Sequence, residues 1–172
     1  PGTNVLMISK GQTEAFSLLD KVRFILKNLP PDWQSGLSPD SRGEIGIPAR
    51  DSKVIALPST EDAGRSETAS VVIQDEADFH EYHAANYAAV KPTVDAGGQM
   101  IMGSTSNKRQ MGSLFKELYR NSPDNGWTKV FIPWHARPMR DEKWYEGVSA
   151  TVPSTELEGM TPEQYMEQEY PG

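Results

Sequence analysis

Residues 71–76 read Val71-Val72-Ile73-Gln74-Asp75-Glu76, a β-branched apolar run that stops at two adjacent carboxylates. Val and Ile suit a pleated backbone, and an apolar run without polar alternation suits a strand covered on both faces, as in a parallel sheet. We place this strand over residues 68–74. Two further runs of strand length, Asn4–Ser9 and residues 99–102 (QMIM), offer partners. Between them, residues 13–28 carry Ala15, Leu18, Leu19, Val22, Ile25 and Leu26 at helical spacing and stop at Pro30-Pro31. Glu44–Ile47 and residues 53–57 form a hairpin pattern, and residues 79–96 are helix-like, with Pro92 expected to end or kink the helix. Residues 112–120 are expected as a helix, residues 127–132 (WTKVFI) as a fourth strand, and residues 141–148 and 162–169 as short helices. Strands alternating with helices give the α/β class, a mostly parallel sheet with crossover helices.

The chain has 172 residues, room for one domain of ordinary size, and 37% hydrophobic residues supply a core. There is no cysteine, which excludes a disulfide framework, thiolate metal sites and thiol catalysis. No apolar run reaches the ~18–20 residues of a membrane-spanning helix, so no membrane partner is expected. The net charge of −7 argues against a protein that coats nucleic acid. That charge is uneven: residues 108–143 carry 8 basic and 4 acidic side chains, whereas residues 144–172 carry 6 acidic and no basic ones. The basic block can face phosphates. Residues 148–172 are expected as an acidic arm beyond a core of residues 1–147.

The carboxylate pair is the strongest chemical signal. Open α/β sheets bind ligands at the C-terminal ends of their strands, where Asp75 and Glu76 would stand. In nucleotide hydrolases of the P-loop class, a first carboxylate such as Asp75 serves the Mg²⁺ shell and a second such as Glu76 activates the attacking water. The alternative is a pair of acids that favours the start of the next helix through its dipole. Gly103-Ser104-Thr105-Ser106-Asn107 follows the next strand, and its small hydroxyl and amide groups can reach a γ-phosphate, or simply cap a turn. Arg65, in Gly64-Arg65-Ser66, can reach phosphates on a neighbouring subunit or be an ordinary surface arginine.

Other patterns are excluded. Gly98 to Thr105 has the glycine spacing of a phosphate loop, but Ser104 stands where lysine is required, and the intervening residues are strand-forming. His80 and His83 lack the H-E-x-x-H pattern and read as a solvated or core-edge pair, and no Gly-x-Ser-x-Gly elbow occurs.

Taken together, the chain resembles the ATPase domain of the phage terminase large subunit, a DNA-packaging motor. The resemblance rests on Val54-Ile55-Ala56-Leu57-Pro58-Ser59, Gly64-Arg65, Val71 to Ala77, Met100-Ile101-Met102-Gly103-Ser104-Thr105-Ser106 and Met160-Thr161-Pro162-Glu163-Gln164-Tyr165, in that order and spacing. It implies a P-loop NTPase-like sheet of the ASCE type, truncated before its first strand, with the Walker A loop upstream of Pro1 and a nuclease domain beyond Gly172. It also implies ATP and Mg²⁺ as cofactors. Asp75 would bind the metal, Glu76 would activate water, Ser104 and Thr105 would contact nucleotide and couple hydrolysis to motion, and Arg65 would act across a ring of identical subunits. The implied partners are double-stranded DNA, the portal protein and a small terminase subunit, in the cytoplasm of a bacterial host. On this reading the 172-residue piece is inactive alone and exposes an unpaired sheet edge prone to self-association. A helicase-like translocase shares the strand-borne Asp-Glu and the Ser-Thr loop. A non-catalytic ATPase-like module that docks DNA or protein is the remaining alternative.

Overall fold

The computed structural model describes residues 2–65 and 67–172, and it divides into two compact units, Pro1–Ser104 and Thr105–Gly172.

The first unit is built on five strands: β1 (Asn4–Ser9), β2 (Glu44–Ile47), β3 (Ser52–Pro58), β4 (Val71–Asp75) and β5 (Gln99–Gly103). Their spatial order is β2-β3-β1-β4-β5. β3, β1, β4 and β5 run parallel, and β2 pairs antiparallel with β3. The hairpin turn is a short 3-10 segment, Pro48–Arg50, closed by Asp51 in the left-handed region (φ 47°).

Parallel strands must be covered on both faces, and period-two alternation decides what goes where. On one face Met7 packs with Ile45, Val54 and Ala56 against Ala15 and Leu19 of α1 (Gln12–Lys27). On the other, Leu6, Ile8 and Val72 pack with Ala69 and with Val90 of α2 (His83–Asp95). α1 ends one residue before the expected boundary, and Pro92 sits inside α2 instead of ending it. It lies in the last turn, where a missing N–H forfeits only the bond to the Ala88 carbonyl. Gly64 (φ +86°) must be glycine, because a Cβ there would come within 2.5 Å of Val90 Cγ1.

The second unit holds α3 (Leu114–Arg120), α4 (Glu142–Thr151) and α5 (Pro162–Glu169), capped by Ser113, Asp141 and a Thr161–Gln164 capping box. Its apolar contacts are mainly aromatic: Trp134 stacks on Trp144 with centroids 6.1 Å apart and lies 4.9 Å from Tyr145, and Tyr170 meets Trp144 edge-on. The Arg140 guanidinium covers both Trp144 and Tyr170. Met166 is buried on α5, and α4 continues through residues 147 and 148.

One expected element is corrected. Residues 127–132 are not a strand: the segment has no regular structure, and Val130, Phe131 and Ile132 are exposed. Strand preference expresses packing against a neighbour, and among the described residues no strand pairs with this segment. No helix is long and apolar enough to cross a membrane among the described residues.

Leu19 is fully buried between α1 and the sheet, whereas Phe24 on the same helix is largely exposed. Leu19→Ala is expected to destabilise the first unit by about 2–5 kcal/mol in urea unfolding, whereas Phe24→Ala changes the midpoint little.

Candidate functional site

Register assembles the site. β1 and β3 are paired through Ser9 and Pro58, β1 and β4 through Ile8 and Gln74, and β4 and β5 through Asp75 and Gly103. The four parallel strands therefore finish at one level, and the residues that follow them, Lys10, Ser59, Glu76 and Ser104, leave from one edge.

At that edge β4 ends in Asp75, which is half-buried. Glu76 turns the chain sharply, with φ 55° and ψ 41°, a left-handed conformation unfavourable for a residue with a Cβ. Ala77–Phe79 then forms a single 3-10 turn, and the Phe79 N–H donates to the Glu76 carbonyl at 2.9 Å. The turn is tied to the neighbouring strand, because the Asp78 N–H donates to Ser104 Oγ at 3.1 Å. Its far end folds back through His80, whose Nε2–H donates to the Asp75 carbonyl at 2.7 Å.

Behind this edge lies a polar layer inside the sheet–α2 interface. Gln74 is fully buried, and its Oε1 is 3.0 Å from His83 Nε2. One helical turn along α2, Asn86 Oδ1 accepts from Ser59 Oγ at 2.6 Å, and its amide donates to the Thr60 carbonyl at 2.5 Å. The Ser59 N–H itself donates to the Ser9 carbonyl at 2.8 Å. α2 thus holds both the carboxylate strand and the root of the loop that leads to Arg65. Burial pushes the His80 imidazole below its ordinary value, opposed by the Asp75 carbonyl and carboxylate. His83 is pushed down to about 4, first by burial and then by the neighbouring His80, with Asp78 opposing.

The structure brings Asp75, Glu76 and Ser104 together. Arg65 lies on the separate loop after β3, more than half exposed, with its Nε 3.0 Å from an Asp62 carboxylate oxygen. Ser66 beside it lies outside the described residues. Thr105 opens the second compact unit. His80, His83 and Asn86 were not singled out by sequence as parts of this edge. The available signal was weak: two histidines placed three apart soon after a strand end, without a ligand pattern.

Among the described residues, no three His, Asp or Glu side chains converge as a metal cage. A single strand-end carboxylate does fit Mg²⁺, which retains waters and is bound largely through substrate phosphates. Asp75 would hold it, and the buried Ser9 Oγ at the neighbouring strand end, which has no partner among the described residues, adds an oxygen of suitable type to the same edge.

A search of solved structures finds the ATPase domain of the large terminase of Thermus phage P74-26, with TM-score 0.59 and 18% identity over 99% of this chain and 76% of that one. The fold is that of a phage large-terminase ATPase domain. An arginine-to-alanine variant of the same Thermus phage domain also matches, with TM-score 0.56, 18% identity and the same coverage of both chains. No family model matches the chain, and no curated protein does. At this identity the likeness is one of fold, and the α/β, mostly parallel architecture expected from sequence agrees with it.

The buried histidines give the fold a pH dependence of definite sign. His83 is neutral when folded and free to protonate when unfolded, so the unfolded chain binds more protons as pH falls through 6.5 towards about 4. Gln74 on β4 and His80 and Asp78 in the turn are the groups that face it. The urea midpoint is expected to fall between about pH 7 and about pH 4.5, and the fall is expected to be shallower in His83→Gln.

Proposed function

We propose that this chain is part of the ATP-driven motor that packages double-stranded DNA, the ATPase of a terminase large subunit. The observation that carries the reading is the adjacency of Asp75, Glu76 and Ser104 at one edge of a terminase-type sheet. Bound Mg²⁺ would neutralise charge on the ATP phosphates and polarise the γ-phosphoryl group.

In this mechanism the Asp75 carboxylate is the group that would hold the metal. Glu76, turned out of the strand line by its left-handed backbone, takes a proton from the attacking water. The water oxygen bonds to the γ-phosphorus as the bond to the ADP oxygen breaks, so ADP leaves and inorganic phosphate forms. Ser104 links the carboxylate turn to β5 and, with Thr105, passes the change at the phosphate to the following loop. Arg65 leaves its exposed pairing with Asp62 and approaches the phosphates of a neighbouring subunit in a homo-oligomeric ring.

The intact subunit also needs a phosphate loop. Among the described residues β5 is one of the two edge strands of the sheet, with Ile101 46% exposed, so a further strand carrying that loop has a place to pair. The portal protein and a small terminase subunit complete the proposed assembly in the host cytoplasm. Residues 1–147 belong to the ATPase core, and residues 148–172 lead towards a nuclease domain.

Mg²⁺-dependent ATP hydrolysis by the intact subunit tests this reading. Glu76→Gln is expected to lower kcat by about 100-fold or more, and the 172-residue chain alone is expected to be inactive. Wild-type turnover in Glu76→Gln would overturn the role given to Glu76, whereas no hydrolysis by the folded intact subunit would favour a non-catalytic module. A second test separates a finger acting between subunits from one acting within its own. Arg65→Ala and Glu76→Gln subunits, each inactive alone, are expected to regain measurable hydrolysis when mixed, because a mixed ring restores some complete interfaces.

A further inference from the structure

We propose that His80 is a positioning residue that holds the Asp75 carbonyl and thereby sets the left-handed bend that aims Asp75 and Glu76. The proposal rests on the ATPase reading above.

The Asp75 carbonyl lies one residue beyond Gln74, the last residue of β4 paired with β1. A carbonyl at that point needs a donor from elsewhere. His80 supplies one at 2.7 Å from a ring that is 8% exposed. A carbonyl partner requires hydrogen on Nε2, and Nδ1 is buried with no partner among the described residues. The ring is therefore oriented by its bond to Asp75 and by its edge-on contact with the His83 ring, centroids 5.6 Å apart. His83 in turn meets the side chain of Gln74. Two histidines thus hold successive residues of the strand end, one through a side chain and one through the backbone.

The geometry held there is a costly one. Glu76 has no glycine-like freedom, yet it adopts φ 55°. Such a conformation persists where surrounding bonds over-determine it. The bend is closed on one side by Ser104 Oγ on the Asp78 N–H and on the other by His80 on Asp75. Without the second bond, the Asp75–Glu76 peptide is free to relax towards extended backbone, which swings the Glu76 carboxylate away from the water it must deprotonate. An imidazole suits the task because its Nε2–H donates to the carbonyl from a rigid, buried ring.

The experiment uses the intact motor subunit, with His80→Leu, which removes the donor, and His80→Gln, whose amide N–H₂ replaces Nε2–H at similar reach. Glu76→Gln is the control. In His80→Leu, kcat is expected to fall about 10–100-fold with little change in KM, and His80→Gln is expected to recover most of it. Binding of Mn²⁺ with nucleotide, followed by paramagnetic resonance, is expected to weaken several-fold in His80→Leu and to be restored in His80→Gln. A His80→Leu protein that melts earlier but keeps wild-type kcat and Mn²⁺ binding while folded would overturn the proposal, leaving His80 a packing residue. Loss of turnover in Glu76→Gln with none in His80→Leu overturns this proposal alone. Full turnover in Glu76→Gln overturns the role of Glu76 and this inference with it, and absence of hydrolysis in the folded wild-type subunit overturns the ATPase reading itself. Should His80→Leu fail to fold, nitrogen NMR of histidine-labelled wild type decides: hydrogen on Nε2 of His80 supports the bond, and a bare Nε2 with hydrogen on Nδ1 alone rules it out.

Discussion

The in-register parallel pairing of β3, β1, β4 and β5 is the constraint on which the rest depends. Each strand is a short apolar run, and each finishes within one residue of its neighbour's end. A slip of one residue on β4 would turn Val72 and Gln74 to the opposite face and separate Asp75 from the level of Gly103. The two hydrophobic layers, Met7 with Leu19 on one side and Ile8 with Val90 on the other, oppose that slip. The same burial that stabilises the sheet therefore aligns the residues with chemical potential.

The second theme is a set of buried polar groups at the strand ends. Gln74, His83, Asn86 and Ser59 lie in an interface where Ile8, Val72 and Val90 are also buried. Unpaired, such groups would weaken the core, so their hydrogen bonds decide whether the layer is tolerated. Asn86 satisfies two loop groups at once, and His83 meets Gln74. The arrangement ties α2 to both the carboxylate strand and the loop that leads to Arg65.

Much of the fold was legible because local patterns matched global burial. The run ending in Asp75-Glu76, the periodic stripe of α1 and the Glu44–Ile47 hairpin were read within a few residues of their observed bounds. Residues 127–132 show the opposite case. Their composition suits a strand, but a strand exists only when another backbone completes its hydrogen bonds, and none of the described residues does so. His80 and His83 were read as a solvated or core-edge pair. The structure makes them core-edge, because the tight turn at Glu76 folds the chain back beneath the strand end.

By itself, the sequence determined the α/β class, the main strands and helices of the first unit, and the placing of two carboxylates at a strand end. These follow from composition and periodicity, which act over a few neighbouring residues. Only the tertiary structure decided that Ser104 meets the Asp78 amide, that His80 holds the Asp75 carbonyl, and that Asn86 holds the Ser59 loop. Those contacts join residues up to 27 positions apart along the chain. They depend on the register between strands, which is set by the packing of both faces together and not by any single segment.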